Sequence, residues 1–311
     1  MKLIRINKCP VCNFIKFSLL FKKNGFSFYK CNNCSYVFVN PRPDEKVLFS
    51  YYNEDFFKGK IEFPGRWTKN YHEGTAAYIG RSKKILSEII NYNKGGKLLD
   101  IGCGLGYLIE QAEKAGWETT GLEISDYAIR ECRRKHLKVK KGQIEKLDRF
   151  SNFFDVIVAQ DVLEHVFKPE YFLNKVNNLL KTNGLFVLEL PNNSSLRAIL
   201  MGKAWIEYIP PVHLNFFDKK NLLLILKNHG FEVKKIYSEI SITIGLRETL
   251  RRLGQNQPRL IYPFLNAGDV IITNFKRKFF YPPLNFIAQK FDIHGDLLIA
   301  FATKYQNLKQ S

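Results

Sequence analysis

The chain has 311 residues, 45% of them hydrophobic and 25% charged, a globular composition that excludes general disorder and can build a core without cross-links. Its longest uncharged stretch is eleven residues, short of the ~20 a membrane-spanning helix needs, and the N-terminus MKLIRINKCPVC has no signal-peptide core, so a cytoplasmic protein with reduced thiols is expected. The net charge of +19 is concentrated toward the ends, with residues 151–240 near neutral; such a surface suits phosphorylated substrates, nucleic acid or anionic lipid, or is simply solvated.

Four of the six cysteines fall in the first 34 residues, as Cys9-Pro-Val-Cys12 and Cys31-Asn-Asn-Cys34 with eighteen residues between. This is zinc-ribbon spacing: each C-x₂-C turn points two thiolates to one side, and two turns complete a tetrahedron. Four thiolates leave no open position, so the expected Zn²⁺ is structural. The intervening segment reads as a hairpin turning at Asn24-Gly25. Pro41 and Pro43 close a ribbon unit over residues 1–43. Cys103 and Cys132 stand apart and read as inert thiols.

Residues 44–96 are rich in Tyr, Phe and Trp and read as a helical, aromatic substrate cap, with a helix predicted from Ile79 to Tyr92. From Lys97 strands and helices alternate, which argues for a parallel sheet. KLLDIG runs into Asp100-Ile-Gly102-Cys-Gly104-Leu-Gly106 and then a helix, so the backbone can approach a ligand at the carboxyl end of the first strand. The second strand ends in Glu123, where a carboxylate can accept hydrogen bonds from two ribose hydroxyls. The spacing is G-x-G-x-G rather than the dinucleotide G-x-G-x-x-G, and an acidic residue opens the loop. Both features favour a cationic ligand without pyrophosphate, such as S-adenosylmethionine.

DIGCGLG, GLEIS, FDVIVAQDVLEHV, LLKTNGLFVLELPN, PPVHLNFF and DLLIAFATK then occur in order. Together they closely resemble the class I S-adenosylmethionine-dependent methyltransferases, in particular the bacterial group with an N-terminal CPxC…CxxC ribbon linked to sugar or polysaccharide modification. The resemblance implies an α/β fold with a Rossmann-like seven-stranded sheet over residues 97–240 and 295–311, carrying the small zinc ribbon and a helical insert at 241–294. It places Asp100, Gly102, Gly104 and Gly106 around the methionine end of the cofactor and Glu123, with Ile124 beside it, at the ribose. Gln143 and Ile144 fall at the adenine, and Gln160 and Asp161 face the cofactor from the fourth strand. Many relatives have Asp at the Gln143 position; glutamine can still accept there without charge assistance.

Acceptor deprotonation would fall to a histidine. His213, in the proline-stiffened aromatic loop IPPVHLNFF, is the first candidate for base, and ribbon-bearing sugar methyltransferases resemble it in placing a base histidine in a comparable loop. His165, in Asp161-Val-Leu-Glu164-His165, is the second; it is expected at the start of the helix after strand four, where Asp161 and Glu164 have capping-box spacing. Trp205 and Tyr208 are positioned to stack on a sugar or aromatic ring, or else to form a lid without substrate contact. The insert mixes apolar and basic residues, as a lid or as a contact with membrane or a lipid-linked substrate would. The resulting expectation is methyl transfer to a small-molecule, sugar or glycan acceptor. The alternative is an RNA methyltransferase gripping nucleic acid with its ribbon and basic surface.

Overall fold

A computed structural model describes residues 3–63, 66–67, 70–147, 150–240 and 295–305. Seven strands form the main sheet: β1 (Lys97–Ile101), β2 (Glu118–Glu123), β3 (Val139–Lys141), β4 (Phe154–Gln160), β5 (Leu180–Pro191), β6 (Phe231–Glu239) and β7 (Leu297–Lys304). Their order is β3-β2-β1-β4-β5-β7-β6. β1 to β5 run parallel, and β7 is antiparallel to both its neighbours.

The apolar runs of β1 and β4 are buried on both faces, as a central parallel sheet requires. Alternate residues feed two cores. Leu98, Val156 and Val158 pack with Ile85, Ile89 and Leu108, whereas Leu99, Ile157 and Ala159 pack with Phe172, Val176 and Leu222 on the other side. Strand order reverses between β1 and β4, the chain stepping outward to β2 and β3 on one side and to β5 on the other, which opens a crevice at the carboxyl ends of the strands.

Two helix boundaries depart from expectation. The helix predicted at Ile79–Tyr92 spans Thr75–Ile89, one turn earlier, which brings Tyr78 and Arg81 over the crevice. No helix begins at Asp161–His165. Asp161 takes a left-handed backbone (φ 53°), residues 161–168 form turns, and the helix starts at Pro169, whose ring pre-sets the first helical position.

The N-terminal strands Phe17–Lys23, Phe26–Cys31 and Val37–Val39 form a sheet whose hairpin turns at Asn24-Gly25 with both residues at positive φ, as the sequence predicts. The fourth strand of that sheet comes from far along the chain. Asn215–Phe216, in the loop after β5, pairs antiparallel with Val37–Phe38, and Val39 N–H donates to Leu214 O at 3.0 Å. The cysteine end of this sheet shares the core that contains Leu99 and Phe217, and its other face packs on Trp205, Tyr208 and Val212. The expected helical insert at 241–294 lies outside the described residues. Among the described residues no helix is long and apolar enough to cross a membrane.

Phe28 is fully buried at this junction, with the rings of Phe21, Tyr208 and Phe216 at 4.5, 5.2 and 5.4 Å. Phe28→Ala is expected to cost about 3–5 kcal/mol. Denaturant titration should show one shifted transition for the N-terminal sheet and the main sheet together; two separated transitions would contradict a shared core.

Candidate active site

A cavity of about 620 Å³ lies at the carboxyl ends of β1, β2 and β4. The glycine loop forms its floor. Gly104 has φ 52°, and a Cβ there would meet only Phe57 Cε1, at 3.8 Å, so the position keeps a cradle open that any side chain would fill. Its N–H donates to Glu123 Oε2 at 2.8 Å, while Glu123 Oε1 accepts from the N–H groups of Ile124 (2.7 Å) and Ser125 (2.8 Å). These bonds turn one carboxylate edge into the end wall of the cavity. Burial raises the Glu123 carboxyl, and burial together with Glu123 raises Asp100 well above its usual range. Two desolvated acids facing one cavity are relieved by a cationic ligand.

Of the residues expected at the cofactor, Asp100, Gly102, Gly104, Glu123, Ile124, Gln143, Ile144, Gln160 and Asp161 all line this cavity. Gly106 does not. It caps the helix Tyr107–Lys114 with φ 78°, and a Cβ there would come within 2.5 Å of Leu137 Cδ1, so its glycine serves the turn. Asp161 is tied to Arg81 Nη1 at 2.6 Å, and Arg81 also pairs with Glu189, which accepts from Gln160 Nε2 at 2.8 Å. The far wall is aromatic: Tyr52, Phe56, Phe57, Tyr71 and Tyr78, all from the segment expected to cap the substrate.

The two candidate histidines meet, with ring centroids 4.6 Å apart and nearly perpendicular planes. Their order of access reverses the expectation. His165 lines the cavity; His213, 6% exposed, lies behind it because the loop that carries it is drawn into the N-terminal sheet. His165 Nδ1 is 2.9 Å from Val212 O, with Tyr52 Oη also at 2.9 Å, and His213 Nδ1 is 2.8 Å from Glu207 O. A carbonyl only accepts, so Nδ1 is the donor in both rings. Glu164 is buried beside them, with Oε1 3.8 Å from His165 Nε2 and neither carboxyl oxygen hydrogen-bonded. Burial, reinforced by Asp161 and Glu207, pushes its carboxyl well up, toward the neutral acid. Donor atoms of Glu164, His165 and His213 lie within 4.8 Å of one another. Tetrahedral ligands on ~2.1 Å bonds sit about 3.4 Å apart, so the 3.8 Å pair is a looser fit to a metal ion than to a bound hydroxyl.

Trp205 and Tyr208 are brought together away from the cavity. Both are buried, 5.0 Å apart edge to face, and Tyr208 packs on Phe21 and Phe28. Apolar contact with the N-terminal sheet draws them inward, so the expected stacking on a substrate ring has no surface to act from. Cys9, Cys12, Cys31 and Cys34 do converge, with all four sulfurs within 4.8 Å and the Cys9–Cys34 and Cys12–Cys31 pairs at 3.6 Å. Sulfurs around one zinc at ~2.3 Å sit about 3.8 Å apart. The Cys34 thiol is pushed down to about 5, chiefly by the hydrogen bond from Cys9, and the same contact pushes the Cys9 thiol up, so one proton is shared within that pair.

A family model described as a methyltransferase domain matches residues 71–236. This chain belongs to that methyltransferase family. It is 30% identical over 159 residues to the ubiquinone biosynthesis O-methyltransferase of Glaesserella parasuis, covering 46% of this chain and 67% of that one. It is 34% identical over 119 residues to the mitochondrial ubiquinone biosynthesis O-methyltransferase of Schizosaccharomyces pombe, covering 35% and 43%. The chain thus spans between two fifths and two thirds of the length of these relatives. An S-adenosylmethionine-dependent methyltransferase from Archaeoglobus fulgidus shares the fold, with a TM-score of 0.50 at 23% identity over 76% of this chain and all of that one. So does a phosphoethanolamine N-methyltransferase from Haemonchus contortus, with a TM-score of 0.51 at 16% identity, covering 87% and 63%.

Three residues that line the cavity, Tyr52, Phe57 and Arg81, and Glu189, which pairs with Arg81 behind it, were not singled out in the sequence. Only the aromatic density of residues 44–96 hinted at the first two. Arg81 and Glu189 carry no local signal, since one lies in a helix and the other in a strand.

If the two raised acids hold a cation, affinity for S-adenosylmethionine should rise with pH as they ionise. Calorimetry between pH 5 and 8 should show this rise, more steeply than for S-adenosylhomocysteine, whose sulfur is uncharged. Gly104→Asp should abolish binding of both; aspartate tolerates the left-handed φ of 52° better than a β-branched residue, and circular dichroism checks that the fold is kept.

Proposed function

We propose that the protein transfers the methyl group of S-adenosylmethionine to a hydroxyl of a small-molecule acceptor, with His165 as general base. The observation that carries this reading is the His165 imidazole, oriented by the hydrogen bond of its Nδ1 to Val212 O, on the wall of the cavity that the glycine loop opens. When bound, S-adenosylmethionine supplies a methyl already activated on a sulfonium. Asp100 and Glu123 offset its positive charge and Gly104 admits its chain. The aromatic wall from Tyr52 to Tyr78 excludes water and presents faces to a ring-shaped acceptor. His165 Nε2 takes the proton of the acceptor hydroxyl as the carbon–oxygen bond forms. Glu164 in its neutral form and His213 lie behind the wall and back the His165 ring.

Relatives named for O-methylation support a small-molecule acceptor. A sugar or glycan is our finer assignment, resting on the ribbon and PPVHLNFF resemblance. The four-cysteine cluster is assigned to one structural Zn²⁺, supported by its sulfur spacing. Elemental analysis of protein purified without chelator should find about one zinc per chain, and Cys34→Ser should reduce it; absence of zinc would remove this assignment.

General-base catalysis contributes typically 10²–10⁴-fold. In methyl transfer to a panel of phenolic and sugar hydroxyl acceptors, His165→Ala should therefore lower turnover by ~10²-fold or more and leave cofactor affinity unchanged. Turnover should also fall on acidification, as the imidazole gains a proton. Glu164→Gln, which mimics the neutral acid, should cost only a few-fold. A His165→Ala enzyme near wild type would remove the base assignment.

A further inference from the structure

Asn215 lies two residues beyond His213 and is 1% exposed. Its Oδ1 accepts from Tyr36 Oη at 2.6 Å and from Arg42 Nη2 at 2.8 Å. Its Nδ2 donates to Leu163 O at 3.0 Å and Val166 O at 2.7 Å, with Glu164 O at 3.4 Å. The amide has one possible orientation: a guanidinium only donates and carbonyls only accept, so a flip would set like against like on both sides. The backbone adds to this grip, since the N–H groups of Leu214 and Asn215 both donate to Glu164 O, at 2.8 and 3.1 Å.

The turn so held, residues 163–166, carries Glu164 and His165. It lies outside regular structure, between β4 and the helix from Pro169. The Glu164 side chain makes no hydrogen bond that could hold it. The donors on the other side both come from the N-terminal segment, Tyr36 from just before the strand Val37–Val39 and Arg42 from a short strand paired with Leu3–Ile4. Tyr36 follows the last cysteine by two residues, and Arg42, fully buried, also donates to Val39 O at 3.2 Å and to Phe167 O at 2.5 Å, just past the turn. One amide therefore sets the His165 turn, the His213 loop and the four-cysteine module in register.

We propose that Asn215 is a positioning residue for the two imidazoles, and that the four-cysteine module acts on the active site through it by way of Tyr36 and Arg42. The proposal rests on the reading that these histidines serve methyl transfer, but its test does not. Asn215→Asp is isosteric, keeps the acceptor for Tyr36 and Arg42, and sets an oxygen against the carbonyls of residues 163, 164 and 166. The Nδ1 protons of His165 and His213, bonded to Val212 O and Glu207 O, report on both segments in ¹⁵N-labelled full-length protein. His229, whose Nδ1 donates to Ile225 O at 2.7 Å within its own helix, is the internal reference.

In Asn215→Asp both Nδ1 proton resonances should move or vanish while that of His229 stays. Tyr36→Phe, which removes one donor without touching a cysteine, should move them less and in the same direction. S-adenosylhomocysteine affinity should stay within a few-fold in both variants, because the glycine loop hangs on other elements. Unmoved resonances in a folded Asn215→Asp protein would overturn the proposal; should that variant fail to fold, unmoved resonances in Tyr36→Phe would do so. A wild-type protein that binds no S-adenosylhomocysteine would instead overturn the methyl-transfer reading, with the resonances still deciding the role of Asn215.

Discussion

A strand edge cannot be left as a row of unpaired backbone groups in an interior. The edge of Val37–Val39 is buried in this chain, and the segment that pairs with it, Asn215–Phe216, arrives from the loop after the fifth strand of the main sheet. Much of the rest follows from that pairing. It draws Trp205, Tyr208 and Val212 into a core with Phe28 and Val39. It seats His213 behind His165 rather than on the cavity wall. It also brings the buried Arg42 guanidinium to backbone carbonyls and to Asn215, the partners that make its desolvation tolerable.

Charge organises the cavity itself. Asp100, Glu123 and Glu164 are buried acids, and burial is the largest influence raising each. They act differently because their surroundings differ. Glu123 is satisfied by three backbone N–H groups and serves as wall as well as counter-charge. Glu164 has no such donors and is favoured as the neutral acid, beside the His165 imidazole. Arg81 balances Asp161 and Glu189 at the rim, so the net negative character is left deeper, beside the glycine loop.

The elements legible in the sequence are those whose signal is local. Two C-x₂-C turns, the Asn24-Gly25 hairpin, the glycine loop with Glu123 and the apolar strands each depend on residues a few positions apart, and each is found where its pattern placed it. Nine of the ten residues expected around the cofactor line the cavity for the same reason, since a parallel sheet delivers successive strand ends to one edge. The expectations that moved are those where local signals compete. At Asp161–His165 a capping-box spacing pointed to a helix start, but Pro169 and the left-handed Asp161 favour turns first.

The sequence by itself determined the class of sheet, the four-cysteine cluster and the glycine cradle, because spacing along the chain is enough to specify a turn, a cluster of side chains or a strand. Only the tertiary structure decided which histidine reaches the cavity, which aromatics form its wall and what holds the turn at residues 163–166 in place. Those outcomes hang on contacts such as Arg42 with Asn215, 173 positions apart, and Arg81 with Asp161, 80 apart. No periodicity encodes such pairs, and they form only after both cores have closed around them.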